Sequence, residues 1–357
     1  MLAMLPDGFT QFFLGQLAVD ELQAALDSEH PLCPARVCFV SRDRVRLLGV
    51  PTMAQLSGAV FDPEDPTVVG DWVLADTTLD PPIVTRRLDR TGVLRRRKPT
   101  GGVQPVAANL DLAMVCTAMG GDLNVRRVER WLALCAEASV PALVVLTKAD
   151  PGQDPTADLA SLRATGADAV AVSALHGIGI DEIRGHLEPG QTATLLGSSG
   201  VGKSTLVNAL LGELTQVTGG VRVGDDKGRH TTTARSLHAL PGGAFLVDNP
   251  GVREVGLVDP SGVTVSFPEI DALLGTCRYR GCGHNGDEGC ALDAAVVAGS
   301  LDPTRLDAWR KLEAEAAYEA RRIDKVTTVE EQRKWKRISQ LNRTRPKKDS
   351  KQKGRKR

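Results

Sequence analysis

The sequence has no net charge, with 44 Lys/Arg against 44 Asp/Glu. No apolar run approaches the roughly 18 residues that a membrane helix needs. Between Met1 and Phe13 there is no basic leader ahead of an apolar core, so a secretory signal is not expected. No internal repeat is visible. Cysteines are few and odd in number: Cys33, Cys38, Cys116, Cys135, Cys277, Cys282 and Cys290. An odd count argues against a disulfide framework, and the cytoplasm is the expected compartment. What is present fits an ordinary globular chain, with 42% hydrophobic and 25% charged residues. A length of 357 residues suggests two or three domains.

The zero balance hides an asymmetry. Residues 333–357 carry 13 Lys/Arg and one acid, Asp349, leaving 31 basic and 43 acidic residues elsewhere. Such a tail is an electrostatic handle for a polyanion such as nucleic acid. A solvated tail that aids solubility is the alternative.

Patterning divides the chain into an N-terminal extension (1–30), a barrel (31–103), an α/β domain (104–265), a helical Cys/His domain (266–325) and the basic tail (326–357). In the barrel, short β-rich runs at Ala35–Val40, Val45–Val50, Val68–Ala75 and Ile83–Leu88 are separated by turn residues. An OB-like β-barrel, a fold that often binds RNA, is one candidate; spacing does not separate it from an SH3-like barrel. From 105 to 260, apolar strands at Leu112–Thr117, Ala142–Leu146, Ala169–Val172, Ala193–Leu196 and Ala244–Val247 alternate with helical stretches. That pattern indicates a mainly parallel sheet covered on both faces. Cys116 and Cys135 lie in apolar stretches and read as core.

The run Gly197-Ser198-Ser199-Gly200-Val201-Gly202-Lys203-Ser204 is a complete P-loop, between an apolar strand and the helix-forming run Thr205–Leu211. Its glycines let backbone N–H groups turn inward on phosphate, and the helix N-terminus adds a favourable dipole. Lys203 is expected to neutralise the β- and γ-phosphates, Ser204 to ligate Mg²⁺, and Thr205 to reach the α-phosphate. Downstream, Asp248-Asn249-Pro250-Gly251 places a carboxylate at a strand end, suited to water-mediated Mg²⁺, with the Gly251 N–H near the γ-phosphate. Between the two motifs, Gly228-Arg229-His230-Thr231-Thr232-Thr233 reads as a switch loop in which one of Thr231, Thr232 and Thr233 closes on magnesium. A plain Thr-rich strand edge is the alternative.

Upstream of the P-loop, Thr147-Lys148-Ala149-Asp150 and Ser173-Ala174 each follow an apolar strand. Asp150 can accept from N1–H and the 2-amino group of guanine, a donor pair that adenine lacks. The Lys148 stem can cover the base and the Ala174 N–H can meet its carbonyl. Together with a P-loop these motifs resemble the TRAFAC-class GTPases, except that the guanine motifs come first. The order is circularly permuted. A parallel sheet tolerates this, since the site needs only the strand C-termini together.

The permuted order, with a barrel before it and a Cys/His element after it, closely resembles the ribosome small-subunit-dependent GTPase A family (RsgA, also called YjeQ), from about Arg36 to Ile323 and again at Arg95–Asn109. That resemblance implies GTP hydrolysis stimulated by the 30S subunit, a role in its late maturation, 16S rRNA as a contact, and GTP and GDP as ligands. A monomer is expected. The family's guanine motif usually begins with Asn, whose amide braces the base and the P-loop. Thr147 offers one hydroxyl, which predicts weaker nucleotide binding.

Many GTPases follow the Asp-x-x-Gly glycine with a water-orienting Gln; here Val252 stands there. Slow intrinsic hydrolysis follows, and His230 is the best substitute for orienting water, an ordinary loop histidine being the alternative. The permutation also leads the chain from Asp248 straight into the Cys/His domain, a route for mechanical coupling.

Cys277-x4-Cys282-x-His284-x5-Cys290 supplies four ligands suited to one closed, structural Zn²⁺ site. Redox-active cysteines are the competing reading. Arg86, Arg87, Arg95, Arg96, Arg97 and Lys98 are candidates for RNA phosphate contacts. Two other functions stay open: a GTP-dependent binding switch on another structured RNA, and a small-molecule kinase or ATPase, which Asp150 disfavours.

Overall fold

The chain is represented by a computed structural model that describes residues 32–97, 103–120, 123–212, 235–248 and 267–318, with Val263 and Arg321. Its first strand, β1 (Leu32–Ser41), is long enough to serve two partners. Its first half pairs antiparallel with β4 (Trp72–Asp76) and its second with β2 (Arg44–Leu47), a register shift between Val37 and Phe39 bending it between them. β2 pairs with β3 (Met53–Leu56), β3 runs parallel to β5 (Ile83–Arg87), and β5 returns antiparallel to β4. The five strands close on themselves and leave no free edge. Alternate residues Ala35 and Val37, Val45 and Leu47, and Val73 and Ala75 fill the interior. The expected strand Val68–Ala75 is shorter, because Asp71 turns inward and accepts the Val68 N–H at 2.8 Å. A hairpin of β6 (Leu94–Arg97) and β7 (Val103–Ala107) follows, astride the expected domain boundary.

The second unit is a sheet in the order β10 (Asp168–Ala171), β9 (Ala142–Thr147), β8 (Leu112–Ala118), β11 (Thr192–Gly197), β13 (Phe245–Asp248), β12 (Ser236–Ala239). The first five are parallel, and β12 is antiparallel to β13. Helices cover both faces, which is why β8, β9 and β11 are buried at nearly every position and mostly apolar. On one face lies α1 (Val125–Glu137), opened by Asn124, whose side chain accepts the Arg127 N–H. It buries Val128, Leu132 and Cys135. The other face carries α3 (Ile180–Gly185) and α4 (Lys203–Leu211), with Ile183, Leu206 and Leu210 packed on Met114 and Val145. Helix α2 (Thr156–Arg163) lies against β10 and β9. Burial pushes the Cys116 and Cys135 thiols up to about 12, so both are inert core groups.

Barrel and sheet meet where β1 pairs with β12 at Phe39 and Ser236. Arg36, 2% exposed, sits at this junction. It donates to the carbonyls of Gly70 (3.3 Å) and Asn109 (3.0 Å), with its guanidinium 4.7 Å from the Trp72 ring and 5.6 Å from Phe245. Burial lowers its pKa to about 10, against the pull of Asp111 and Asp71. Gly70 must be glycine here, since a Cβ would lie 2.2 Å from the Ala108 carbonyl oxygen.

The C-terminal unit contains α5 (Pro268–Asp271), α6 (Ala291–Val297) and a helix α7 over 303–318. Asp302 caps α7 through the Thr304 N–H (2.7 Å), and Pro303 takes the first helical position, where no N–H is needed. Arg305 docks this unit on α1. It pairs with the buried Glu129 and with Glu269 (2.6 Å), and stacks 4.4 Å over Phe267. Arg130 of α1 also pairs with Glu315 at 2.6 Å.

Candidate functional site

Every described nucleotide motif lies at the C-terminal ends of the parallel strands. β11 ends in Gly197, the first residue of the P-loop, and β9 ends in Thr147, the first of the Thr-Lys-x-Asp run. Ser173 follows β10, and Asp248 is the last residue of β13 rather than the residue after it. The four strands are neighbours or next neighbours of β8, so the permuted chain order still brings the motifs to one edge.

The P-loop backbone has the conformations its glycines permit. Gly197 has φ +136°, and a Cβ there would lie 2.4 Å from the Cys116 carbonyl oxygen on β8. Gly202, at φ +97°, opens α4 with no side-chain cap. Glycine at this position brings no side chain to cap the first turn, the usual arrangement at an anion site. Lys203 Nζ donates to the carbonyls of Gly197 (2.8 Å) and Ser198 (2.6 Å), which holds its charge inside the loop. Ser199, Gly200, Ser204 and Thr205 are exposed at the loop mouth, whereas Val201, Leu206 and Val207 are buried and anchor it.

Thr147 is buried, and its hydroxyl contacts two carbonyls, that of Val201 in the P-loop and that of Thr117 on β8 at 3.0 Å. It therefore braces the P-loop directly. A hydroxyl has one hydrogen and serves only one of these acceptors at a time. Lys148 has φ +60°, uncommon for a long side chain and frequent at functional sites, and its side chain is exposed. Asp150 and Ser173 meet: Ser173 Oγ donates to Asp150 Oδ1 at 2.6 Å. Ala174 follows, half-buried.

Asp248 is partly buried, and burial raises its carboxyl above the usual range, opposed by His238 and Lys203. A cation placed against it would favour the ionised form. His230, Thr231, Thr232, Thr233, Asn249, Gly251, Val252, Lys98 and the basic tail lie outside the described residues. Among the barrel cations, Arg87 is engaged by Asp65, while Arg86 and Arg95 are exposed.

Cys277, Cys282, His284 and Cys290 form one cluster, with ligand atoms within 4.8 Å of one another, and could hold a metal ion. His284 Nδ1 lies 3.6, 3.5 and 3.7 Å from the three Sγ atoms in turn. The Ala291 N–H donates to Cys277 Sγ at 3.3 Å and lowers that thiol's pKa. Around the cluster, Arg310 donates to the His284 carbonyl at 2.7 Å, and Trp309 meets the imidazole edge-on at 5.9 Å.

Three neighbours of the site have no local pattern that would reveal them. Arg127 on α1 donates to Ser198 Oγ at 3.2 Å. His238 on β12 lies within electrostatic reach of Asp248 and bonds Ser236 Oγ at 2.7 Å. His176 contacts Ser173 Oγ at 2.8 Å. Each comes from an element remote from the motif, or from a loop whose turn only the fold fixes.

Comparison with known proteins agrees with this arrangement. The RsgA GTPase family profile matches residues 87–258. The small ribosomal subunit biogenesis GTPase RsgA of Mesorhizobium japonicum is 41% identical over 315 residues, covering 86% of this chain and 88% of the relative. Two solved structures share the fold. YjeQ from Thermotoga maritima superposes with a TM-score of 0.61 at 23% identity, covering 80% of this chain and 98% of its own. YloQ, described as a circularly permuted GTPase, also gives 0.61, at 20% identity, covering 82% of this chain and 97% of its own. With its guanine and phosphate motifs in permuted order on one sheet edge, and on the strength of these matches, the chain belongs to the RsgA GTPase family and is a GTP-hydrolysing enzyme.

Proposed function

We propose that this GTPase acts in biogenesis of the small ribosomal subunit, binding the 30S particle and assisting its late maturation, with hydrolysis stimulated by the particle. The observation that carries this reading is the convergence of Asp150, Ser173 and the P-loop on one edge, between a closed five-stranded barrel and a Cys/His unit. The relatives' names point to the same subunit. The division at 31–103, 104–265 and 266–325 assigns rRNA contact to the barrel, timing to the GTPase unit, and docking to the Cys/His unit and the basic tail. The polyanion is 16S rRNA, the protein acts as a cytoplasmic monomer, and its charged tail makes binding salt-dependent.

In this reading Asp150 accepts from guanine, Lys148 covers the base and Ala174 meets its carbonyl. The backbone from Gly197 to Gly202 wraps the phosphates and Lys203 neutralises them. Thr205 reaches the α-phosphate, and Gly251 senses the γ-phosphate. Ser204, one of Thr231, Thr232 and Thr233, and Asp248 through water would hold Mg²⁺, which supplies charge neutralisation across the β- and γ-oxygens. His230 orients the attacking water, because Val252 offers no polar atom. A His230→Ala protein with unaltered subunit-stimulated turnover would sink that role.

Zinc is the metal that the Cys/His donor set fits. Tetrahedral bonds of about 2.3 Å to sulfur and about 2.05 Å to nitrogen place the two ligand atoms roughly 3.6 Å apart. The three Sγ–Nδ1 separations of 3.5–3.7 Å match that edge. One structural zinc per chain is expected by metal analysis.

The decisive experiment is GTP turnover with and without purified 30S subunits, with 50S subunits as control and ATP as competitor. Stimulation by 30S alone is expected. Its absence would favour a GTP-dependent binding switch on another structured RNA.

A further inference from the structure

We propose that His176 is a positioning residue for guanine recognition, its Nδ1–H fixing the Ser173 hydroxyl, which in turn fixes the Asp150 carboxylate. The inference rests on the guanine-binding role proposed for Asp150 and goes one step behind it. Ser173 Oγ stands between two partners, Asp150 Oδ1 at 2.6 Å and His176 Nδ1 at 2.8 Å. A serine hydroxyl has a single hydrogen. If that hydrogen turned to the imidazole, an Oγ lone pair would face a carboxylate oxygen at 2.6 Å, a repulsive contact. The hydrogen therefore goes to Asp150, the charged and stronger acceptor. The contact to His176 is a hydrogen bond only if Nδ1 carries the proton and donates. The order of donation is His176 to Ser173 to Asp150, and Nδ1 is also 3.5 Å from Asp150 Oδ1.

The loop is built to hold this arrangement. Ser173 and Ile178 exchange both backbone hydrogen bonds, each 3.1 Å, and the His176 N–H donates to the Ser173 carbonyl at 3.2 Å. The imidazole is thereby folded back over Ser173, although half its surface is open to solvent. Engaging Oδ1 from one side leaves Oδ2 and the second lone pair of Oδ1 for the base. A carboxylate that cannot rotate discriminates better, because its two oxygens must meet N1–H and the 2-amino group together.

The test uses the full chain and equilibrium binding of GDP and IDP, the latter lacking the 2-amino group that only Asp150 accepts. His176→Ala should weaken GDP roughly five- to tenfold, the effect of one lost hydrogen bond, and IDP less, so that the GDP/IDP ratio falls. His176→Asn, which restores an N–H donor near the same place, should recover most of the ratio. Imidazole ¹⁵N shifts of the neutral side chain should show Nδ1 protonated. A proton on Nε2 only, or an unchanged GDP/IDP ratio in His176→Ala, overturns the proposal. An equal loss for both nucleotides also overturns it, since that is the mark of a structural role alone. Asp150→Ala separates the two levels. If it leaves GDP affinity intact, the guanine site itself is wrong; if it lowers affinity while His176→Ala does not, only the present inference fails.

Discussion

Replacing Arg305 by methionine keeps an apolar chain at this position but removes the guanidinium that stacks on Phe267 and pairs with Glu129. Glu129 is 3% exposed and Arg305 17%, so the carboxylate would be left buried without its main partner. Breaking a buried pair from one side costs roughly 3–5 kcal/mol; the residual exposure of Arg305 argues for the lower end, about 3 kcal/mol. The partner Glu269 is more open to water and adds little. Burial already raises the Glu129 carboxyl above its ordinary range, with Arg305 pulling it back. Without Arg305 the raised value climbs further, so the folded protein takes up a proton at higher pH. The sign follows: the deficit of Arg305→Met is largest near pH 8 and shrinks as pH falls through the raised value, where the neutral acid avoids the penalty. Urea unfolding followed by tryptophan fluorescence reads the contact directly, since Trp131 on α1 and Trp309 on α7 flank it. Glu129→Gln in the same background removes the buried charge and should recover more than half of the loss. Strictly additive effects of the two substitutions, or a deficit independent of pH, would show that Arg305 does not offset a buried Glu129 charge.

Thr147→Val, nearly isosteric, deletes the hydroxyl that braces the Val201 and Thr117 carbonyls and should weaken GDP roughly fivefold or more by calorimetry; unchanged affinity would show that the brace is idle. Cys290→Ser should release the metal, and with it the protease resistance of residues 267–318, because metal binding and folding are linked in such units; full resistance without metal would contradict this. His238 has its pKa lowered by burial, partly offset by Asp248. Its contribution to stability is complete above the unfolded value near 6.5 and is lost as pH falls through the depressed folded value. The melting temperature should therefore drop as pH falls from about 7 through that depressed value, and His238→Gln should flatten that slope.

The parts whose physics is local were legible in the amino-acid order. A P-loop between an apolar strand and a helix, an Asp after a strand and a Cys/His run with tight glycines each state their chemistry within a few residues. Strands buried on both faces are mostly apolar and so were legible as a parallel sheet. The closed barrel was legible only as alternating runs: β3 is four residues long, and the β3–β5 pairing and the bend of β1 depend on contacts distant in sequence. Tertiary structure alone decided that Thr147 reaches the P-loop carbonyl of Val201, that Arg127 meets Ser198, that Arg305 ties the Cys/His unit to α1, and that His176 turns back on Ser173. The first three contacts join separate elements and the last depends on how its loop is folded, so no residue spacing encodes them. Those at the nucleotide site exist because a parallel sheet gathers its strand ends at one edge, whatever the order in which the chain visits them.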